Sequence, residues 1–185
     1  MAFHHVALAT ADAEATVRFY TEAMGFRLVK TVVGPVLETG GRARHFFFDT
    51  GGGELMAFWD LAESGLPEGW RADVSTGMGL PIWVNHLAFD APTLDDLGAA
   101  RERWQRHGHD VTEIDHGFCA SVYAVDPNGI LVEFCCTTRD FTDEEIADAP
   151  RRLTEAEPAL DPEPVVRFHK AVAAARATEP APASV

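Results

Sequence analysis

The sequence contains little cysteine and no long hydrophobic run, and each shortage excludes a class of protein. Cysteine occurs three times in 185 residues, at Cys119, Cys135 and Cys136, without the spacing of a cysteine metal site. An odd number of cysteines favours reduced thiols in a cytosolic interior over a disulfide framework. No apolar stretch approaches the roughly 20 residues that a helix needs to cross a bilayer.

Positive charge is also scarce. The chain has 15 Lys and Arg residues against 29 Asp and Glu, a formal net charge of −14. Nucleic acids and anionic membranes attract clustered positive charge, so we expect neither as a partner. The first residues, MAFHHVALAT, lack the charged and apolar regions of a secretory signal. Together these features predict a cytoplasmic protein.

What the sequence does contain is an internal repeat. The stretches HHVALATADAEATVRFYTEAMGFRLVKT and NHLAFDAPTLDDLGAARERWQRHGHDVTEI each begin with a short strand that carries a histidine. An amphipathic helix follows in each copy and ends at a glycine, Gly25 or Gly108. The helices are predicted at about residues 12–24 and 93–107, and the following strands at about 26–33, 43–49 and 54–59, and at 109–114, 120–125 and 130–136.

The doubled βαβββ pattern predicts an α+β fold in which two paired modules form a curved, barrel-like mixed sheet. The first module covers residues 1–60 and the second covers 84–137, with a Gly- and Pro-rich linker at 61–83. Residues 138–185 form a C-terminal extension. It begins with a short helix in a capping box of Thr142 and Glu145, and continues as an extended or disordered tail, EPALDPEP to ATEPAPASV.

Three polar residues stand inside apolar predicted strands. His5 and His86 occupy the same position of the two copies, and Glu133 lies on the last strand of the second copy. A carboxylate is costly to bury unless a positive group meets it. If the sheets of the modules face each other, these residues surround one point as a 2-His-1-carboxylate metal site with open positions. The alternative is that each histidine is an ordinary core or edge residue.

The first module has no clear counterpart of Glu133. The equivalent position falls at Met56 or Ala57, and neither side chain binds a hard metal ion. Glu54 is displaced by two or three residues and stays open as a fourth ligand. Three protein ligands leave room for substrate and oxygen, whereas four suit an isomerase that uses its metal as a Lewis acid.

This organisation resembles the vicinal oxygen chelate superfamily of glyoxalases, bleomycin resistance proteins and extradiol dioxygenases. VRFYTEAMGFRLV is similar to the helix-to-strand segment of glyoxalase-like members. The stretch IDHGFCASVYAVDPNGILVE, residues 114–133, resembles the signature of type I extradiol ring-cleavage dioxygenases, and NHLAFDAPTLDDLGAA resembles their segment with the second metal histidine. Better-known type I enzymes carry an additional pair of modules, whereas this sequence has one pair.

The resemblance implies roles for particular residues. His5, His86 and Glu133 would hold Fe(II), beside which a catechol- or hydroquinone-like aromatic substrate and dioxygen bind. Tyr123 would donate a hydrogen bond to a catecholate oxygen, and His116 would line the mouth of the pocket. His45, in RARHFFFD, would be the acid-base residue that takes a substrate proton and returns it. The alternative for each residue is a structural role: Tyr123 as an ordinary strand aromatic, His116 as a turn histidine and His45 as a strand histidine.

Several alternatives remain open at this point. Mn(II) accepts the same ligands as Fe(II). A glyoxalase-like lyase or isomerase would use Zn(II), Ni(II) or another divalent metal as a Lewis acid, and it would favour a fourth ligand on the first module. A non-catalytic, bleomycin-resistance-like protein would bind a small molecule without any metal. The two modules pair either within one chain or by exchange between the chains of a homodimer.

Overall fold

The two βαβββ modules are both formed. The computed structural model describes residues 3–61 and 66–172. The first module consists of β1 (His5–Thr10), α1 (Ala13–Arg18), β2 (Arg27–Pro35), β3 (Arg42–Asp49) and β4 (Leu55–Asp60). The second consists of β5 (His86–Asp90), α2 (Leu94–Arg106), β6 (Val111–Asp115), β7 (Cys119–Val125) and β8 (Leu131–Thr137), and the extension adds α3 (Asp143–Thr154) and β9 (Val165–His169).

Each module builds its own mixed sheet. The strand order is β1-β4-β3-β2 in the first sheet and β5-β8-β7-β6-β9 in the second, with β1 parallel to β4 and β5 parallel to β8. The predicted α+β fold of two βαβββ modules is therefore confirmed. The expected single curved sheet is replaced by two sheets, because β1 and β5 pair with β4 and β8 and no ladder in the described residues joins the modules.

The first helix differs from its prediction in one respect. Regular α-helix ends at Arg18, and the chain continues to Ala23 as a π-helical segment. The hydroxyl of Thr21 donates to the Val17 carbonyl oxygen at 2.7 Å, a side-chain bond that competes with the regular backbone pattern. Gly25, at φ 79°, then ends the segment in the left-handed conformation that favours glycine.

The C-terminal extension contains a strand that the sequence analysis missed. The capping box of Thr142 and Glu145 on α3 is confirmed. Residues 165–169, however, form β9 along the edge of β6. The residues of β9 read VVRFH, a β-branched and aromatic composition typical of strands. The predicted tail ATEPAPASV lies outside the described residues. In the described part of the chain, no helix has the length and hydrophobicity required to cross a bilayer.

A single hydrophobic core joins the two modules. It contains the helix-facing side chains of both sheets together with residues of α1 and α2. Phe26 lies at the junction, with its ring centroid 4.9 Å from that of Phe89 and 6.3 Å from that of Phe134. Side chains alternate between the two faces of a strand, so the opposite faces of both sheets lie outside this core. We call these the open faces.

Polar contacts reinforce the junction at the DPNG turn of the second module. The hydroxyl of Tyr20 donates to Asp126 Oδ2 at 3.1 Å, and Thr10 Oγ1 donates to Asn128 Oδ1 at 2.8 Å. Asp126 also accepts from the backbone N–H groups of Asn128 and Ile130, each at 2.8 Å. All these side chains are buried, so the turn is both a hairpin connection and the anchor of the first module.

Replacing Tyr20 by phenylalanine should lower the free energy of unfolding by about 1–3 kcal/mol, because the buried Asp126 loses a donor. Urea unfolding followed by circular dichroism measures this loss. Thr21→Ala is the matched control, since the Thr21 hydroxyl bonds within its own helix, and it should change stability by less than about 0.5 kcal/mol. Equal losses in the two variants would show that the Tyr20–Asp126 contact does not stabilise the junction.

Candidate metal and substrate site

Strands β5, β7 and β8, with the turn between β6 and β7, bring four of the predicted site residues together on the open face of the second module. His86 Nε2 lies 3.1 Å from Glu133 Oε2. His116 Nε2 lies 3.2 Å from the Tyr123 hydroxyl oxygen, and the His86 and Tyr123 ring centroids are 6.2 Å apart. The ladder places Tyr123 directly opposite Glu133. The stretch 114–133 therefore converges with the second repeat histidine on one cluster.

The orientation of His86 suits a metal ligand. Its Nδ1 lies 2.9 Å from the backbone carbonyl oxygen of Trp83. A carbonyl oxygen can only accept, so Nδ1 is the donor in this contact, and Nε2 is the nitrogen that faces the Glu133 carboxylate. Glu133 is 4% exposed. A buried carboxylate facing an imidazole nitrogen is a donor pair suited to a divalent cation. The sequence analysis does not predict this contact, because a backbone carbonyl has no sequence signal.

Tyr123 is held in its protonated form. Burial raises the pKa of Tyr123, and the neighbouring Glu133 carboxylate raises it further. The phenol is therefore a hydrogen-bond donor near neutral pH. Its hydroxyl contacts the His116 ring, and Tyr123 lies opposite Glu133 in the ladder, so the phenol can donate to an oxygen atom of a ligand bound there.

The open face of the first module carries His5 and His45. Their ring centroids are 6.3 Å apart, and His45 stacks on Trp59 at 3.9 Å with an interplanar angle of 10°. Phe47 contacts both histidines, with centroids 5.7 Å from His5 and 4.2 Å from His45. Two histidines and two aromatic rings thus form one cluster on this face, in which only His45 and Trp59 are stacked.

His45 has the properties of a proton acceptor. Its Nε2 is buried and has no hydrogen-bond partner. Burial lowers the pKa of His45, and the neighbouring His5 lowers it further. The imidazole is therefore mostly neutral near pH 7 and keeps a nitrogen that can accept a proton.

The cluster on the second module and the histidine pair on the first, which we call the two half-sites, do not come together in the described residues. In the described residues, no three His, Cys, Asp or Glu side chains come close enough to hold one metal ion. His86 and Glu133 lie together on the second module, and His5 lies with His45 on the first. The ligand set of His5, His86 and Glu133 therefore stays a prediction, and the chain supplies it in two parts.

Strand register identifies the counterpart of Glu133 in the first module. Glu133 lies opposite Ala88, two residues after His86. The residue opposite Ala7, two after His5, is Ala57, so the choice between Met56 and Ala57 falls on Ala57. Ala57 is buried and has no ligand atom. Glu54 precedes the start of β4 at Leu55, so it lies outside the repeat position.

A cavity of about 330 Å³ opens between the modules beside His86. It is lined by Leu8, Val74, Met78, Asn85, His86 and Leu87. The other predicted site residues do not line it. We therefore place the candidate site on the open faces and not in this cavity.

The comparisons with known proteins identify the family. The Glyoxalase/Bleomycin resistance protein/Dioxygenase superfamily matches residues 2–134 of this chain. The chain belongs to this superfamily, which includes lyases, resistance proteins and dioxygenases. Among curated proteins, none matches the chain significantly.

Solved structures agree on the fold. The glyoxylase/bleomycin resistance protein/dioxygenase domain from Frankia sp. EAN1pec has a TM-score of 0.57 and 18% identity, covering 74% of this chain and 98% of that chain. Lactoylglutathione lyase from Agrobacterium tumefaciens has a TM-score of 0.51 and 21% identity, covering 73% and 92%. The fosfomycin resistance protein FosX from Listeria monocytogenes has a TM-score of 0.50 and 18% identity, covering 78% and 97%. At these identities the likeness shows the fold and not the reaction.

Titration of the His45 ring by NMR in the metal-free protein should give a pKa below the ordinary histidine value of about 6.5, because burial disfavours the charged ring. In the His5→Asn variant the pKa should rise, since a neighbouring charge is removed. It should still stay below the ordinary value, because burial is the larger cause. A pKa of His45 at or above the ordinary value would exclude the neutral acceptor that we describe.

Proposed function

We propose that this protein is an Fe(II)-dependent extradiol dioxygenase that cleaves the ring of a catechol- or hydroquinone-like aromatic compound. The observation that carries the proposal is the cluster of His86, Glu133, Tyr123 and His116 on one open face. These residues supply a metal-ligand pair, a phenol donor and a second imidazole in one place. That combination suits an ionised diol, which needs both a cation and a hydrogen-bond donor.

The metal would be held by His86 and Glu133 together with His5. The residues fit a cation, because the buried Glu133 carboxylate and Nε2 of His86 lie 3.1 Å apart, where one ion can accept from both. When bound, Fe(II) would supply the redox chemistry by which the aromatic ring reacts with dioxygen. Mn(II) suits the same donors, so metal analysis of the purified protein distinguishes the two.

The side chains around the ligands have separate tasks in the proposed reaction. Tyr123 donates its O–H to one substrate oxygen and stabilises the anionic form of the diol. His45, neutral and unpartnered, accepts the proton that the diol releases and returns it when the ring opens. Trp59 and Phe47 flank the flat aromatic ring and exclude water from it. His116 holds the Tyr123 hydroxyl in place through the 3.2 Å contact.

A homodimer completes the proposed site. The shared core of each chain leaves both open faces outward, and exposed apolar side chains lie on the first of them, with Trp59 at 39% and Val32 at 47% exposure. Covering these side chains with the open face of a second chain stabilises the pair. We propose that His5 of one chain joins His86 and Glu133 of the other.

A Lewis-acid lyase or isomerase is the alternative enzyme. Such a reaction favours a fourth protein ligand at the position of Ala57, and that alanine has no ligand atom. The alternative also gives no role to the contact between His116 and Tyr123. A non-catalytic binder needs no metal, so it gives no role to the His86–Glu133 pair. We therefore favour the dioxygenase.

Oxygen uptake tests the reaction directly. Protein loaded with Fe(II) under anaerobic conditions should consume oxygen when substituted catechols or hydroquinones are added, and a yellow ring-opened product should form. The Tyr123→Phe variant should bind the metal normally but turn over the substrate more slowly, roughly 100-fold, because a donor to the reacting oxygen is lost. Protein that holds one Fe(II) per site yet consumes no oxygen with any diol would contradict the dioxygenase and favour the lyase.

Glu133→Gln should weaken metal binding by more than about 100-fold, because the anionic ligand becomes a neutral amide of the same shape. Glu54→Gln is the matched control and should leave metal affinity unchanged. Calorimetric titration of the metal-free variants with Fe(II) or Mn(II) measures both. Loss of affinity in Glu54→Gln with normal affinity in Glu133→Gln would move the carboxylate ligand to the first module.

A further inference from the structure

Strand β9 lies outside the repeated βαβββ pattern but extends the open face of the second module. It pairs antiparallel with β6, with Phe168 opposite Thr112 and Val166 opposite Ile114. Arg167 lies opposite Glu113, which pairs with Arg101 of α2 at 2.9 Å. Arg167 therefore lies on the helix-facing side. Phe168 and Val166, one residue to either side, lie on the open face.

One row of the sheet connects Phe168 to the proposed metal ligands. Across the strands, Phe168 lies opposite Thr112, Thr112 opposite Tyr123, and Tyr123 opposite Glu133. Neighbouring strands lie about 4.8 Å apart, so Phe168 stands about 10 Å from Tyr123 and about 14 Å from Glu133. A single aromatic ring bound at Glu133 and Tyr123 does not reach Phe168, but a ring with a substituent does.

The exposed side chains at this end of the row are apolar. Phe168 is 77% exposed and Val166 is 43% exposed, and the half-buried Ile114 lies beside Val166. The polar end of the same face carries His86, Glu133 and Tyr123. A binding surface with a polar end and an apolar end is complementary to a ligand that has polar groups at one end and an apolar group at the other.

Strand β9 is also held in place by polar contacts that do not involve Phe168. Glu113 accepts from Arg167 at 3.0 Å and lies 2.9 Å from His169 Nε2. Asp110 accepts from the Lys170 ammonium group at 2.7 Å and from the Ala171 N–H at 2.8 Å. These contacts hold β9 in register without using Phe168. The exposed ring is therefore not needed to attach the strand.

We propose that β9 forms the outer wall of the substrate site and that Phe168 is a specificity-determining residue. It contacts an aromatic or other apolar substituent of the diol, so the substrate is a substituted catechol or hydroquinone and not the bare ring. This inference rests on the proposed function, because it takes the diol oxygens to bind at Glu133 and Tyr123.

Anaerobic calorimetry with Fe(II)-loaded protein tests the proposal without requiring turnover. The probes are catechol and a phenyl-substituted catechol. Wild-type protein should bind the substituted compound more tightly. Phe168→Ala should weaken the binding of the substituted compound by roughly tenfold, the loss of one aromatic contact, and should leave catechol binding unchanged. Val165→Ala, on the same strand but the opposite face, is the matched control and should change neither affinity.

The other outcomes separate the two proposals. Equal weakening of both ligands by Phe168→Ala, or no weakening of either, would overturn the role of Phe168 and leave the proposed function intact. A change in solution mass with unchanged affinities would assign Phe168 to the contact between chains and would also overturn it. Wild-type protein that binds neither diol would overturn the proposed function itself, and the inference with it.

Discussion

The shared hydrophobic core is the constraint on which the rest of the structure depends. Both sheets bury their helix-facing sides in it, with Phe26 packed between Phe89 and Phe134. Since a sheet has two faces, this arrangement turns the faces with the predicted site residues outward. The buried contacts of the DPNG turn with Tyr20 and Thr10 fix the same arrangement. One chain therefore presents two half-sites, which we propose that a second chain completes.

The half-sites have different chemical characters. The second module supplies the carboxylate, a histidine oriented by the Trp83 carbonyl, and a phenol that burial keeps protonated. The first module supplies His5, a neutral His45 and the aromatic rings of Trp59 and Phe47. In the proposed function, metal binding and proton transfer are divided between two modules built from one repeated unit. The two copies differ at the ligand position itself, because the first has Ala57 where the second has the Glu133 carboxylate.

Much of the fold could be predicted from the sequence, because the repeat and the glycine caps are local signals. The helix at Leu94–Arg106 and the capping box at Thr142 are examples. The grouping of His86, Glu133, Tyr123 and His116 could also be anticipated, since three of them lie within residues 114–133. How the two modules face each other could not, because that depends on packing between distant side chains such as Phe26 and Phe134. Strand β9 was missed because VVRFH is short and follows a Pro- and Glu-rich stretch that favours an extended chain.

The most direct test of a metal site shared between two chains is to mix two defective variants. His5→Ala and His86→Ala should each lose tightly bound metal. If they are unfolded together and refolded, half of the dimers contain one chain of each kind, and each such dimer has one intact site. The mixture should then retain about a quarter of the wild-type metal after gel filtration. A mixture that holds no more metal than either variant alone would contradict the shared site.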